Sequence, residues 1–189
     1  MIGILALQGG YEAHAAKLQQ LAAPHRLLVN ANDLAAISAL IIPGGESTTI
    51  LRFLKIQKMM QPLIDFCRQN KPVFATCAGA ILLSKTVQNP SQESLGILDV
   101  VIERNSYGRQ LQSQIVQGVN HVNSMDTEMV FIRAPKFLQI NTDAGVEILA
   151  SYHNEVVAVR QGNCVAATFH PELSADLFWH EYFLGLIEN

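Results

Sequence analysis

Ile2-Gly3-Ile4-Leu5-Ala6-Leu7 stops at Gln8-Gly9-Gly10, and Leu40-Ile41-Ile42 stops at Pro43-Gly44-Gly45. Neither run alternates with polar residues, so neither fits a strand with one wet face. A short, uniformly apolar run that breaks at a glycine turn and is followed by a helix-like stretch reads as a strand buried on both faces. Further pieces repeat the rhythm. Arg26 to Val29 and Pro72 to Thr76 read as strands. Helices are expected up to about Leu21, over Ser47 to Gln57 with Ser47 or Thr48 as its cap, over Pro62 to Gln69, and over Ala78 to Lys85. This alternation implies a parallel sheet with helices on both faces.

The rhythm changes after residue 100. Val100-Val101-Ile102, Met129 to Ile132, Val146 to Leu149 and Val156 to Val159 are strand-like runs with few helices between them. They are expected to extend the sheet in antiparallel or mixed fashion. Val165 to Phe169 returns to a buried strand, and Asp176 to Ile187 closes the chain as an amphipathic helix. The fold class expected is α/β: a single-domain three-layer sandwich over residues 1–189, with a mostly parallel central sheet and an antiparallel or mixed extension. With 49% hydrophobic residues, 189 residues suffice for one substantial core.

Composition removes several function classes. A net charge of −3 leaves no basic excess for a nucleic-acid footprint. No apolar run approaches the roughly 20 residues of a membrane helix. MIGILALQGG has neither a positive n-region nor a cleavage site, so no secretory leader is expected. Cys67, Cys77 and Cys164 are odd in number and form no CxxC pair, so neither a disulfide framework nor a metal site is expected. The reading is a cytoplasmic protein with reduced thiols.

Cys77 interrupts two apolar runs, in Val73-Phe74-Ala75-Thr76-Cys77-Ala78-Gly79-Ala80-Ile81-Leu82. Ligands collect at the carboxyl ends of parallel strands, and Cys77 lies at such an end just before a helix. Ala75, Ala78 and Gly79 are small enough for a tight strand-to-helix elbow that pushes the central side chain outward. The helix N-terminus favours a thiolate, the reactive form of cysteine. A lone cysteine is nonetheless more simply a buried structural residue. Thr168-Phe169-His170-Pro171-Glu172 also ends a buried strand, and so reaches the same sheet edge. In extended chain, residues two apart face one side, which lets Glu172 hold one imidazole nitrogen of His170 while the other meets the thiol. This is the order of nucleophile, base and orienting acid. His14, His25, His121, His153 and His180 have no such frame and read as structural or exposed. Acyl transfer also needs donors for a developing oxyanion; the Ala78 N–H and the Pro43-Gly44-Gly45 turn are available.

PGGEST at 43–48, TCAG at 76–79, ERNSYGRQ at 103–110, FIRAP at 131–135, FHPE at 169–172 and the opening LALQG at 5–9 together resemble the glutaminase subunits of pyridoxal 5'-phosphate synthase complexes, a branch of the class I, triad-type glutamine amidotransferases. The resemblance implies that Cys77 attacks the carboxamide of L-glutamine, that His170 moves the protons, and that Glu172 holds His170. It places the oxyanion hole at Gly45 and Ala78, and glutamine contacts at Gly45, Glu46, Ser47, Arg104, Ile132 and Arg133. It further implies no cofactor, no membrane or nucleic-acid partner, and a hetero-oligomeric complex with a (β/α)8-barrel synthase subunit that takes the ammonia. Gln8-Gly9-Gly10 is a candidate for a segment that moves when that partner docks. Ala75 replaces a common glycine, Ala80 replaces a larger aliphatic residue, and QGG replaces the usual QGA or QGS. A glutaminase serving another synthase, a cysteine hydrolase of another substrate class and a non-catalytic binding subunit remain alternatives from sequence.

Overall fold

Four strands are buried at every position, as uniformly apolar runs require when helices cover both sheet faces. The computed structural model describes residues 1–104 and 113–187. In chain order the first half comprises β1 (Ile2–Leu5), α1 (Tyr11–Gln20), β2 (His25–Leu28), β3 (Ala39–Ile42), α2 (Ser47–Ile56), α3 (Met60–Arg68), β4 (Val73–Thr76) and α4 (Ala78–Leu83). The second half comprises β5 (Ser84–Gln88), β6 (Leu98–Glu103), β7 (Ser113–Asn120), β8 (Met125–Ile132), β9 (Lys136–Ile140), β10 (Val146–Tyr152), β11 (Glu155–Gln161), β12 (Cys164–Ala167) and α5 (Phe178–Gly185).

The main sheet has nine strands in the order β2-β1-β3-β4-β12-β11-β10-β7-β8. The first five run parallel, and the last four attach antiparallel, each to its neighbour. Two apolar clusters sandwich it. On one face Ile2, Ile4 and Phe74 pack with Leu18 of α1 and with Trp179 and Phe183 of α5. On the other, Leu5, Ile42 and Ala75 pack with Ile50 and Leu54 of α2, Leu63 and Phe66 of α3, and Ile81 of α4. The three-layer arrangement and its antiparallel extension match the sequence expectation. Among the described residues no helix is long and apolar enough to cross a membrane.

Three local expectations are corrected. Val100-Val101-Ile102 does not extend the main sheet. It lies in β6 of a second sheet of three strands, β5-β6-β9. Its alternating burial gives it one inner face, and Val100 and Ile102 close over the α2–α4 side of the core. α4 ends at Leu83 rather than Lys85, because Ser84 turns extended while its hydroxyl donates to the Ala80 carbonyl at 2.8 Å. The cap of α2 is Glu46, not Ser47 or Thr48. Its carboxylate accepts the Thr49 N–H at 2.8 Å, and a negative charge there also suits the helix dipole. Residues 118–127, to which the sequence assigns no role, hold the end of β7, a turn over 121–124 and the start of β8, with Asn120 opposite Met125.

Candidate active site

β4 and β12 are neighbours in parallel register, Ala167 opposite Thr76, so their carboxyl ends deliver Cys77 and His170 to one edge. The Cys77 N–H donates to the Ala167 carbonyl at 2.8 Å, which ties the elbow to β12. Cys77 then turns with φ 46° and ψ −103°, outside the regions that L residues favour. α4 starts immediately and runs close against β3. A Cβ on Gly79 would lie 2.1 Å from the Ile42 carbonyl oxygen, so only glycine permits this approach. Ala75 is fully buried beneath the elbow, where its methyl group fits.

The His170 N–H donates to the Val130 carbonyl at 2.8 Å, fixing it between β12 and β8. Pro171 then opens a single 3-10 turn over Pro171–Leu173. Glu172 is therefore not on an extended segment, as the spacing argument assumed. Proline at the first position of the turn fixes φ and starts a tight winding. The contact forms all the same: Glu172 Oε1 lies 2.7 Å from His170 Nδ1. Cys77 lies close enough to the same imidazole to favour its protonated form. Gly44 lies against both groups, since a Cβ there would sit 2.4 Å from His170 Cε1 and 3.2 Å from Cys77 Cβ.

Burial pulls the His170 pKa down, but its hydrogen bonding toward Cys77 and Glu172 and their negative charge outweigh it and push it up to about 10. Burial likewise opposes ionisation of Glu172, yet the neighbouring imidazoles of His14 and His170 hold its carboxyl below the usual range. The site is thus set up to carry an imidazolium beside an ionised carboxylate.

Cys77 is only 6% exposed, more enclosed than a freely projecting elbow residue. That exposure opens onto a cavity of about 270 Å³ lined by Gln8, Gly45, Glu46, Ser47, Cys77, Ile81, Arg104, Ile132, Arg133 and His170. Every glutamine contact expected from the sequence is on this wall; Ala78 lies directly behind Cys77 in α4 and is buried. Glu46 Oε1 pairs with Arg104 Nη2 at 3.3 Å, and Arg104 Nε is buried without a hydrogen-bond partner among the described residues. Ser47 instead donates its hydroxyl proton to Gln92 Oε1 at 2.9 Å. Residues 105–110 of the ERNSYGRQ stretch lie outside the described residues.

Sequence reasoning named Gln8-Gly9-Gly10 only as a segment that moves on docking, and passed over Ile81, His14 and His180. Gln8 Oε1 accepts the Glu46 N–H at 2.7 Å, so the opening LALQG reaches the cavity wall. The Gly10 N–H donates to the Gly44 carbonyl at 2.9 Å, joining Gln8-Gly9-Gly10 to the Pro43-Gly44-Gly45 turn. Ile81, one helical turn after Cys77, was findable by spacing. His14 and His180 lie behind Glu172 and gave no local signal.

A model of the SNO glutamine amidotransferase family matches residues 4–189. "Pyridoxal 5'-phosphate synthase subunit PdxT" of Thermotoga petrophila is 44% identical over 188 residues, covering 99% of this chain and 99% of that protein. The protein of the same name from Solibacter usitatus is 44% identical, with 97% of each chain covered. A crystal structure of a glutamine amidotransferase superposes with a TM-score of 0.92 at 37% identity, covering 100% of this chain and 99% of that one.

Proposed function

The chain belongs to the SNO glutamine amidotransferase family, and from that premise we propose that it hydrolyses L-glutamine to L-glutamate and ammonia, acting as the glutaminase subunit of a pyridoxal 5'-phosphate synthase. The observation that carries this reading is one cluster, Cys77–His170–Glu172, in which Glu172 holds His170 and Cys77 and His170 share the wall of a cavity that holds Glu46, Arg104 and Arg133. A thiol, an imidazole and a carboxylate in that order perform acyl transfer. The charged groups fit a small amino acid: Arg104, whose buried Nε has no partner among the described residues, suits the substrate carboxylate, because a guanidinium binds that group in bidentate fashion.

The chemistry follows from the geometry. Cys77 Sγ attacks the carboxamide carbon, and the carbonyl oxygen takes the negative charge. The Gly45 and Ala78 amides are the donors assigned to that oxyanion. His170, protonated at neutral pH by the balance described above, gives its proton to the leaving nitrogen. The C–N bond breaks and the thioester remains. His170, now neutral, takes a proton from water as the water oxygen attacks the thioester carbon. The C–S bond breaks, glutamate leaves, and the thiolate–imidazolium pair is restored. Glu172 holds Nδ1 throughout, so Nε2 does the transfers.

The partner assigned is a (β/α)8-barrel synthase subunit in a hetero-oligomeric cytoplasmic complex. Free ammonia is protonated in water, so its use as a nucleophile calls for direct delivery. Gln8-Gly9-Gly10 packs against the oxyanion turn, and docking onto this segment would couple partner binding to oxyanion stabilisation. The test is ammonia release from glutamine by the chain alone, with the synthase subunit, and with Cys77→Ala in both settings. Strong stimulation by the synthase and none in the variant are expected. Equal activity of Cys77→Ala refutes the nucleophile; unchanged activity with the synthase refutes partner gating.

A further inference from the structure

We propose that His14 is a positioning residue of this centre: its imidazole ties the orienting carboxylate of Glu172 to Thr76, the residue that holds the oxyanion turn. The inference rests on the glutaminase reading above. His14 lies on α1, fully buried, and takes no part in the proton transfers just described. Its Nε2 is 3.1 Å from Thr76 Oγ1 and 3.4 Å from Glu172 Oε2. Its Nδ1 is 3.0 Å from His180 Nε2. The ring stands edge-on to Phe74, with centroids 6.1 Å apart.

The proton positions follow from the neighbours. Glu172 Oε1 serves His170; Oε2 is buried and has no hydrogen bond of good geometry among the described residues. A lone pair on His14 Nε2 would face that anionic oxygen, which is repulsive. The proton therefore sits on Nε2, donated to Thr76 Oγ1 and directed past Glu172 Oε2. His14 Nδ1 is then the acceptor of the His180 Nε2–H. His180 Nδ1 keeps a bare lone pair and has no partner among the described residues, which costs less than a buried unpaired N–H.

Thr76 carries the link onward. Its Oγ1 also accepts the Gly44 N–H at 3.0 Å, and its successor is Cys77. One imidazole thus fixes the acid that orients His170 and the strand end that carries both the nucleophile and the glycine turn. The charged or titratable groups facing it are Glu172 and His170 from the turn after β12, His180 from α5, and Lys17 from its own helix. Lys17 is occupied by the Ser174 carbonyl.

Two substitutions separate the roles of the two ring nitrogens. The amide nitrogen of His14→Gln occupies the position of Nε2 and keeps a donor toward Thr76 and Glu172. That of His14→Asn occupies the position of Nδ1 and keeps only the His180 side. With the synthase subunit present, His14→Asn is expected to lower kcat about 10- to 100-fold, the range seen when supporting hydrogen-bond partners are removed, with KM for glutamine within about 3-fold. His14→Gln is expected to recover most of kcat. The second readout is the pH dependence of Cys77 alkylation by iodoacetamide, followed by mass spectrometry; its acid limb should move to higher pH in His14→Asn, where Glu172 has lost the contact that orients it toward His170. Equal loss in both variants, an unmoved acid limb, or failure of both to fold overturns the proposal, since each describes a merely structural residue. If the wild-type complex releases no ammonia, the glutaminase reading fails, and the alkylation profiles still decide whether His14 acts on the cluster.

Discussion

At most sites, replacing alanine by glycine destabilises a protein; at residue 77 the order should invert. Cys77 has φ 46° and ψ −103°. A side chain held in a sparsely populated region costs about 1–3 kcal/mol, and this one, outside even the left-handed helical basin, lies near the upper end. Cys77→Ala keeps a Cβ and keeps that strain. Cys77→Gly removes it, but loses about 0.5–1 kcal/mol to the greater freedom of the unfolded chain and roughly 0.8 kcal/mol of buried methylene. The balance favours glycine over alanine by about 1 kcal/mol, or roughly 2–4 °C in melting temperature for a chain of this size. Thermal unfolding of the two inactive variants reads this directly. Ala16→Gly on the exposed side of α1 is the control and should lower the melting temperature. If Cys77→Ala melts at or above Cys77→Gly while the control behaves, the elbow stores no strain and the steric argument for its geometry fails.

Two further outcomes are expected. Burial holds His180 down at about 3, with His14 adding to the effect, whereas an unfolded histidine titrates near 6.5. The unfolded chain binds the extra proton between those values, so this contribution to stability is complete above about 6.5 and falls at up to about 1.4 kcal/mol per unit as the pH drops. Glu172, held low, acts with the same sign, and His170, held at about 10, with the opposite sign above 6.5; a melting temperature that is flat from pH 7 to 4.5 refutes the buried neutral pair. Arg104→Ala should raise KM for glutamine at least about 10-fold with a smaller effect on kcat, and Arg104→Lys should not restore it, since a point charge lacks the fork; a KM unchanged in steady-state assays removes Arg104 from substrate binding.

The parallel half of the fold was legible because four of its five strands are short and buried throughout, and because glycine turns follow β1 and β3. The second sheet was not. Val100-Val101-Ile102 has the composition of a main-sheet strand, and only its partners, β5 and β9, place it elsewhere. Ser84 and Lys85 were read into the preceding helix, but the Ser84 hydroxyl turns back on Ala80 and β5 starts there. At the site, Cys77 and His170 were readable because each follows a buried apolar strand, and Glu172 because it stands two residues after His170. Glu46 was expected as a substrate contact, and its cap was missed because a carboxylate at that position competes with serine and threonine just beyond it. His14 and His180 carry no local mark. Their roles depend on α1 and α5 lying on the same face of the sheet, a fact of packing that no spacing encodes.

The buried network behind Cys77 holds three imidazoles and one carboxylate, and its charges are sorted by contacts, not by burial. All three rings are strongly desolvated, which alone would leave each neutral. His170 alone faces two anionic partners, donating its Nδ1–H to Glu172, and it alone is pushed up. His14 feels the attraction of Glu172 but also the repulsion of His170, and burial wins. His180 sits a ring further away and is held neutral by burial, with His14 adding to the effect. A second positive charge near Glu172 would compete with His170 for the carboxylate and weaken the hold on Nδ1. Keeping His14 neutral yet protonated on Nε2 gives Glu172 a dipole in place of a rival cation, so the only buried imidazolium of the network stands beside the sulfur.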